Sequence, residues 1–344
     1  MANKNLLSKT LLCVTALITL SCGLDDQAIP RSQPDADDAS FIDQNLSAGS
    51  VQWTTIKSEL VNAINSDLKT GLPTVDVGVY YPSNLDESFL EKFSLDEFTN
   101  ELIAAKDIFG VAGVQLNLLW IKSGEVDRRF LSIQSNDITN ATPASQHVNM
   151  YEDMNRRNSS LSRDALAAFN SIIEHHEENH RIIYLVVLQH VFMSFFEQVD
   201  ERTWEIRTIT TGGLSFPSYI HVNNMPKRLR GAITITRNDA LDKIIAHELG
   251  HKLLNVSHEY REMNPQHEIR AEGGLMVYGS GTEILAGENG RWHKERLHLS
   301  PFVYRQAERG LRVWNADYAE GGHYYDPLYG DKVVEFSVAP AADD

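Results

Sequence analysis

Hydrophobic and polar positions along the 344 residues switch repeatedly between a helical and an extended period. Val51, Trp53, Ile56, Leu60, Ile64 and Leu68 recur at helical spacing and predict an amphipathic helix, either a short pro-segment or part of the fold. Thr74 to Tyr81 alternates as a strand and is ended by Pro82. Ser94 reads as the N-cap of a helix running to about Phe109, and Val114 to Ile121 as a second strand. Residues 135–160 are polar without a clear period and read as a long surface loop. A helix is predicted from Ser162 to about His180. The apolar run Ile182 to Val191 then has the composition of a central strand buried on both faces. Ser218 to Val222 and Gly231 to Thr236 read as two further strands. A second apolar helix follows, with Asn238 and Asp239 as N-cap and Ile244, Ile245, Ala246, Leu249 and Leu253 as its buried face. Near the end, Ser300-Pro301 reads as serine at N-cap and proline at N1 of a helix to about Trp314. No internal repeat is visible. Strands alternating with helices predict a domain of the α/β or α+β class.

The candidate chemistry lies on the second apolar helix, in His247-Glu248-Leu249-Gly250-His251. Two histidines four apart stand one turn above each other on one helix face, so both imidazoles can reach a single metal ion. Glu248 sits about 100° round the helix, where a general base can address water without becoming a ligand. The alternative is a core helix with two satisfied histidines, but two imidazoles and a carboxylate are costly to bury without partners. Other histidines are less organised. His175, His176 and His180 stand among Glu174, Glu177 and Glu178 and read as a solvated face, and His293, His298 and His323 receive no metal role.

The stretch from His247 to His258 resembles the zinc-binding motif of the metzincin metallopeptidases, HExxHxxGxxH, with one shift. The third histidine of that family lies ten positions after the first; His258 lies eleven after His247. Leu254 stands where the family has glycine, and Asn255 follows it. Asparagine is the non-glycine residue that best tolerates the left-handed turn that glycine supplies there. One added helical residue before that turn accounts for the shift of both Asn255 and His258. The bacterial IgA-protease-like family is similar in this respect, with an acidic ligand at the longer spacing followed by Glu-Tyr; here the chain reads His258-Glu259-Tyr260. Further on, Gly273 to Gly279 resembles the metzincin Met-turn. Met276 would lie beneath the metal, and Tyr278 matches a tyrosine that contacts the metal or the oxyanion in the astacin and serralysin branches. Read alone, Met276 would be a core methionine. The resemblance implies a twisted, mixed five-stranded sheet with long helices, including the zinc helix. It implies an edge strand at Phe216 to Asn223 that pairs with peptide substrate. It also implies one catalytic zinc on His247, His251 and His258, with Glu248 as general base in peptide hydrolysis. Two rivals stay open. One is a gluzincin-type site with Glu268 or Glu272 as third ligand. The other is a lipid-anchored binding protein whose zinc is structural or vestigial.

Composition changes the picture at the ends. Lys4 and Lys9 precede the apolar run Leu11 to Leu20, too short to cross a bilayer and built like a secretory signal. Leu20-Ser21-Cys22 resembles a bacterial lipobox, apart from Thr19, where leucine is usual. Residues 1–22 are therefore expected to be a lipoprotein signal, with Cys22 lipidated and the protein held in the bacterial cell envelope; a simple cleaved signal and a membrane-anchored signal are the alternatives. Residues 23–50 read as a disordered acidic tether, rich in Asp, Pro, Ser and Ala over 23–40. Residues 51–344 form the catalytic domain, with the Met-turn and a C-terminal helical part from about 273. The two cysteines, Cys13 and Cys22, both belong to the signal segment, so the domain has no disulfide and relies on its core. A net charge of −16 without basic runs argues against nucleic-acid partners and leaves peptide or protein substrates and the membrane. Replacing Cys22 with serine is expected to move the mature protein out of the detergent phase in phase-partition fractionation. Equal partitioning of the Cys22→Ser variant would rule the lipobox out.

Overall fold

The computed structural model describes residues 51–137, 160–175, 181–200, 203–215, 227–236, 243–255, 274–276, 282–307, 310–315, 323–324 and 334–335. The signal segment with Cys22 and the tether lie outside the described residues. Among the described residues no helix is long and apolar enough to cross a membrane.

The expected helix over 51–68 is replaced by a strand and a shorter helix: β1 (Thr54–Ile56) and α1 (Ser58–Ile64). Three consecutive residues, Thr54, Thr55 and Ile56, are β-branched and favour extended backbone. Lys57, at φ 54°, reverses the chain before the helix begins. Trp53 belongs to the core. Its indole N–H donates to the Ile172 carbonyl at 2.9 Å, and its ring lies 4.9 Å from that of Tyr80.

β2 (Pro73–Pro82) is the centre of the molecule, with all ten residues buried. After the short α2 (Glu87–Leu90) comes α3 (Leu95–Val111), where the expected cap at Ser94 is a full capping box. Ser94 Oγ accepts from the Glu97 N–H, and the Glu97 carboxylate accepts from the Ser94 N–H at 2.7 Å. Phe98, Leu102, Ala105 and Phe109 bury one helix face. β3 (Gln115–Gly124) returns parallel to β2. β4 (Ser132–Gln134), β5 (Asn136–Asp137) and β6 (Ser160–Leu161) flank the polar stretch, of which 138–159 lie outside the described residues. α4 (Arg163–Ile172) is capped by Ser162 as expected but ends earlier than His180. Its inward stripe of Ala165, Ala168, Phe169 and Ile172 would continue into polar His175 and His176. The chain instead leaves the helix and buries Ile173 completely.

The apolar run from Ile182 divides in two. β7 (Ile183–Val187) stays in the main sheet, while β8 (His190–Gln198) turns into a second sheet with β4 and β9 (Trp204–Thr210). β10 (Gly213–Ser215) and β11 (Ala232–Ile235) complete the main sheet, whose order is β1-β3-β2-β7-β11-β10. β10 is the antiparallel edge. The expected edge strand, Phe216 to Asn223, lies outside the described residues; the strand described at that edge comes before it. The zinc-motif helix α5 (Ile244–Gly250) packs with α3 on the Val77, Val79 and Tyr81 face of β2, and α4 lies on the other.

α6 (Arg291–Leu299) corrects the C-terminal expectation. Ser300 closes this helix by donating its N–H to the Leu297 carbonyl, and Pro301 stops it rather than opening another. The following segment is a hairpin, β12 (Val303–Gln306) and β13 (Arg312–Trp314), turned at Gly310 with φ 77°. The short pair β14 (His323–Tyr324) and β15 (Val334–Glu335) ends the order. β12 pairs with the start of β2, and β1, β12 and β13 raise the expected five strands to eight.

Asp76, fully buried in β2, holds this hairpin to the sheet. Tyr304 Oη and Asn117 Nδ2 donate to Asp76 Oδ1 at 2.8 and 2.7 Å, and Arg312 Nη2 is in ion-pair contact with Oδ2 at 2.7 Å. The Arg312 guanidinium also lies over the Tyr304 ring. Removing the carboxylate leaves three donors without their acceptor. Urea unfolding of Asp76→Ala is therefore expected to show a loss of about 2–4 kcal/mol, reduced below the full buried-pair value because Arg312 is partly exposed. Asp76→Asn, which keeps an acceptor oxygen, is expected to lose less than half as much.

Candidate metal centre

β11 ends at Ile235, and α5 begins at Ile244. Asn238 and Asp239, the expected N-cap, lie outside the described residues. The residue at the helix start is Lys243, at φ 61° and without a side-chain cap. Every residue of α5 is buried, as the apolar pattern required.

His247 and His251 stand together as the spacing predicts. Their ring centroids are 4.7 Å apart and their planes nearly perpendicular. His247 Nδ1 lies 3.0 Å from the Leu275 carbonyl, an acceptor. Nδ1 must therefore carry the proton, which leaves the ligating lone pair on Nε2. Burial holds the His247 imidazole down at about 4, so it stays neutral, the form that binds a metal.

Leu275 belongs to the turn at Gly274, Leu275 and Met276, entered through Gly274 at φ 88°. Leu275 and Met276 are both fully buried. A Cβ on Gly250 would lie 2.5 Å from Met276 Sδ. Gly250 is thus the gap in the helix into which the methionine fits. A glycine inside a helix costs about 1 kcal/mol relative to alanine, which in the sequence was the available signal that something approaches closely there.

Glu248 is buried on the side facing β10. A Cβ on Gly213 would lie 2.7 Å from Glu248 Cγ, so the edge strand passes over the carboxylate only because residue 213 is glycine. The Ser215 N–H donates to that carboxylate. Burial pushes the Glu248 carboxyl up to about 8, with Ser215 and the Lys252 ammonium partly opposing. Lys252, one turn on and 1% exposed, donates to the Arg230 carbonyl at 2.7 Å; burial brings its amine down to about 7, opposed by Glu248. Gly213, Ser215 and Lys252 have no motif signal and were missed in the sequence; Leu275 lies in the Met-turn-like stretch, but its carbonyl's role on His247 was not read from it.

Beyond Gly250 the helix widens. His251–Asn255 forms a π-turn, closing i→i+5 bonds. One further helical residue before Asn255 is expected from the sequence; the structure has a π-turn there. Asn255, expected to adopt the left-handed turn, instead lies within this π-turn, because the wider turn keeps the backbone helical to that residue; from Val256 onward the chain lies outside the described residues. Arg296 of α6 supports the end of the turn by donating Nε and Nη2 to the Leu254 carbonyl at 3.1 and 2.9 Å. With Lys252 it places two cationic side chains at the helix C-terminus, where the dipole favours them.

His258, Glu259, Tyr260, Glu268, Glu272 and Tyr278 lie outside the described residues, as do His176 and His180. Among the described residues no three His, Cys, Asp or Glu side chains converge, so the pair His247 and His251 is what the structure brings together. His175 is exposed, His293 is fully buried, and His298 Nε2 contacts the Ala112 carbonyl at 3.0 Å.

The buried groups set a pH dependence for the metal-free protein. The folded state holds the Glu248 proton more tightly than the unfolded chain, whose value is near 4.5. That contribution is complete below about 4.5 and lost as the pH rises through about 8. His247 contributes in the opposite sense: its share is complete above 6.5 and lost as the pH falls through about 4. Lys252 also gains with rising pH above about 7 in wild type, and without the Glu248 charge its amine is held lower still. The difference between wild type and a Glu248→Gln variant therefore reads Glu248 together with its coupling to Lys252, both of which penalise wild type as the pH rises. In melting experiments with chelator from pH 5 to 9, wild type is expected to lose stability relative to Glu248→Gln as the pH rises, and added zinc to cancel the loss.

No model of a known protein family matches the chain, and a search of curated proteins returns no match, so the functional reading rests on the arrangement of its own residues.

Proposed function

We propose that the chain is a zinc-dependent endopeptidase of metzincin-like build, tethered to the bacterial cell envelope through Cys22. The observation that carries this reading is Glu248 standing between His247 and His251 on one buried helix, with Met276 Sδ beneath it at Gly250. A structural zinc site has no need of a third, carboxylate-bearing position that is not a ligand. The donor chemistry fits zinc: neutral imidazoles, one with its tautomer tied by a carbonyl, on a helix supported from below. Taken through the main sheet, with α2, β4, β5, β6, β8 and β9 left aside, the order strand, helix, strand, helix, strand, edge strand, strand, zinc helix from β2 to α5 also supports the resemblance.

His247, His251 and, by the sequence motif, His258 would hold the ion. When bound, zinc supplies Lewis acidity that lowers the pKa of water to about 7. The chain's own residues do the rest. Glu248 accepts the proton of the attacking water on its carboxylate and returns it to the leaving amine. The Ser215 N–H and the space left by Gly213 fix where that carboxylate points. Burial raises its proton affinity in the metal-free protein, and a bound cation would oppose that and keep the carboxylate ionised to accept the proton. Tyr278 is assigned to the oxyanion on the resemblance alone.

Zinc stoichiometry and cleavage of casein test this together. Glu248→Ala is expected to keep its zinc and to lose turnover by about 10²–10⁴-fold; metal loss in that variant would make Glu248 a ligand and end the assignment. His258→Ala is expected to lose zinc and activity, and Glu272→Gln to keep both. The reverse pair of results would move the chain to the gluzincin arrangement. Bound zinc with no cleavage of any peptide would leave the lipid-anchored binding protein.

A further inference from the structure

One polar atom beside α5 has no use in the fold. Ser215, on β10, is 5% exposed, and among the described residues its Oγ makes no hydrogen bond. A buried hydroxyl without a partner costs stability, so its presence calls for a reason. The main chain of the same residue is engaged: the Ser215 N–H donates to the Glu248 carboxylate.

The strand shows where the hydroxyl points. Gly213, Leu214 and Ser215 pair in unbroken register with Ile235, Thr234 and Ile233 of β11, so side chains alternate across β10. The position at Gly213 is aimed at α5: a Cβ there would lie 2.7 Å from Glu248 Cγ and 3.0 Å from Oε1. Ser215 is two positions on and shares that face. Its Cβ and Oγ therefore rise on the α5 side of the strand, about 7 Å along from Gly213. The Glu248 carboxylate bridges the interval, close over Gly213 and bound to the N–H of Ser215. Hydroxyl and carboxylate thus border one buried space and make no bond to each other. A molecule entering it meets two acceptors on neighbouring groups. Water answers both, by donating one O–H to each.

Resting on the peptidase reading, we propose that Ser215 is a water-positioning residue: the attacking water donates one O–H to Glu248 and the other to Ser215 Oγ. Held by the carboxylate alone, the water could turn about its single hydrogen bond. A second acceptor on the adjoining strand removes that freedom and fixes where its lone pair points. Glu248 takes the first proton. The water oxygen then bonds to the peptide carbonyl carbon and keeps the second proton, which stays on Ser215 Oγ as a hydrogen bond. When the C–N bond breaks, Glu248 passes its proton to the leaving nitrogen. Ser215 itself neither gains nor loses a proton. One residue sets both partners, with its N–H on the base and its hydroxyl on the nucleophile.

Two variants and one crystal structure test this. Ser215→Ala deletes the hydroxyl but keeps the N–H on Glu248, and Ser215→Thr keeps both. At unchanged zinc stoichiometry, Ser215→Ala is expected to lower kcat about 10–100-fold with KM within about twofold, and Ser215→Thr to recover most of the loss. The structure needs neither zinc nor turnover. Crystals of the chelator-treated wild type are expected to show a water within about 3 Å of both Ser215 Oγ and a Glu248 carboxylate oxygen. An unchanged kcat in Ser215→Ala overturns the proposal. So does an equal fall in both variants, which marks packing, and so does the absence of that water. A wild type that cleaves no peptide removes the peptidase reading and leaves the crystals to decide. Water bridging the two atoms then supports the role of Ser215 as its holder. An empty space, or Oγ bonded directly to Glu248, overturns it.

Discussion

The structure depends on burying a helix that carries two imidazoles and a carboxylate. Each of those groups loses hydration on entering the interior, and each must recover it from a fixed partner. For His247 the partner is the Leu275 carbonyl, and for Glu248 it is the Ser215 N–H. Neither partner is a side chain. A turn and an edge strand therefore have to arrive at the helix with their main chains exposed, and glycines at 250 and 213 make that approach possible. The consequence reaches across the sheet. β10 can lie over Glu248 only if β11 holds it, and β11 is aligned through β7 on β2. A buried carboxylate held this way favours a nearby cation, so the cost of burial is offset when a metal occupies the site.

The π-turn answers a problem of register. A residue added to an α-helix rotates everything after it by about 100°, which would turn the chain's exit to another face. Widening one turn to i→i+5 absorbs the residue without that rotation, at the cost of weaker carbonyl pairing. The Leu254 carbonyl is the group left needing a donor, and the Arg296 guanidinium meets it with two N–H groups. α6 is thereby tied to the end of α5, and through Ser300 and Pro301 it leads into β12, whose Tyr304 is anchored on Asp76.

Much of this was legible where local chemistry and long-range packing agree. The ten buried residues of β2, the capping box at Ser94 and the histidine pair and buried face of α5 are all written in short windows. The failures come where a local signal meets a stronger tertiary demand. The helical spacing from Val51 to Ile64 is genuine, but Trp53 finds both an acceptor and an aromatic partner only if Thr54–Ile56 joins β3. Ser300-Pro301 serves equally to begin or to end a helix, and the alternating Val303–Gln306 with Gly310 beyond it decides for an end. Gly213, Lys252 and Arg296 act through main-chain groups brought near by folding, and no spacing rule along the chain records that.

One strand then joins the two halves of the fold. A central run of apolar residues would ordinarily end at Val187, where the parallel sheet ends. Here the chain continues through Leu188 and Gln189 into β8, and returns as β9 and β10 without a long loop. Thr236 makes the handover possible: its N–H and hydroxyl take the carbonyls of Gly212 and Thr211, the two residues at which the strand changes partners. That junction switches the paired side: β9 meets β8 through odd-numbered residues up to Thr211, and β10 meets β11 through even-numbered residues from Gly212. An edge formed in this way is a liability in a monomer, since it offers pairing to any extended chain.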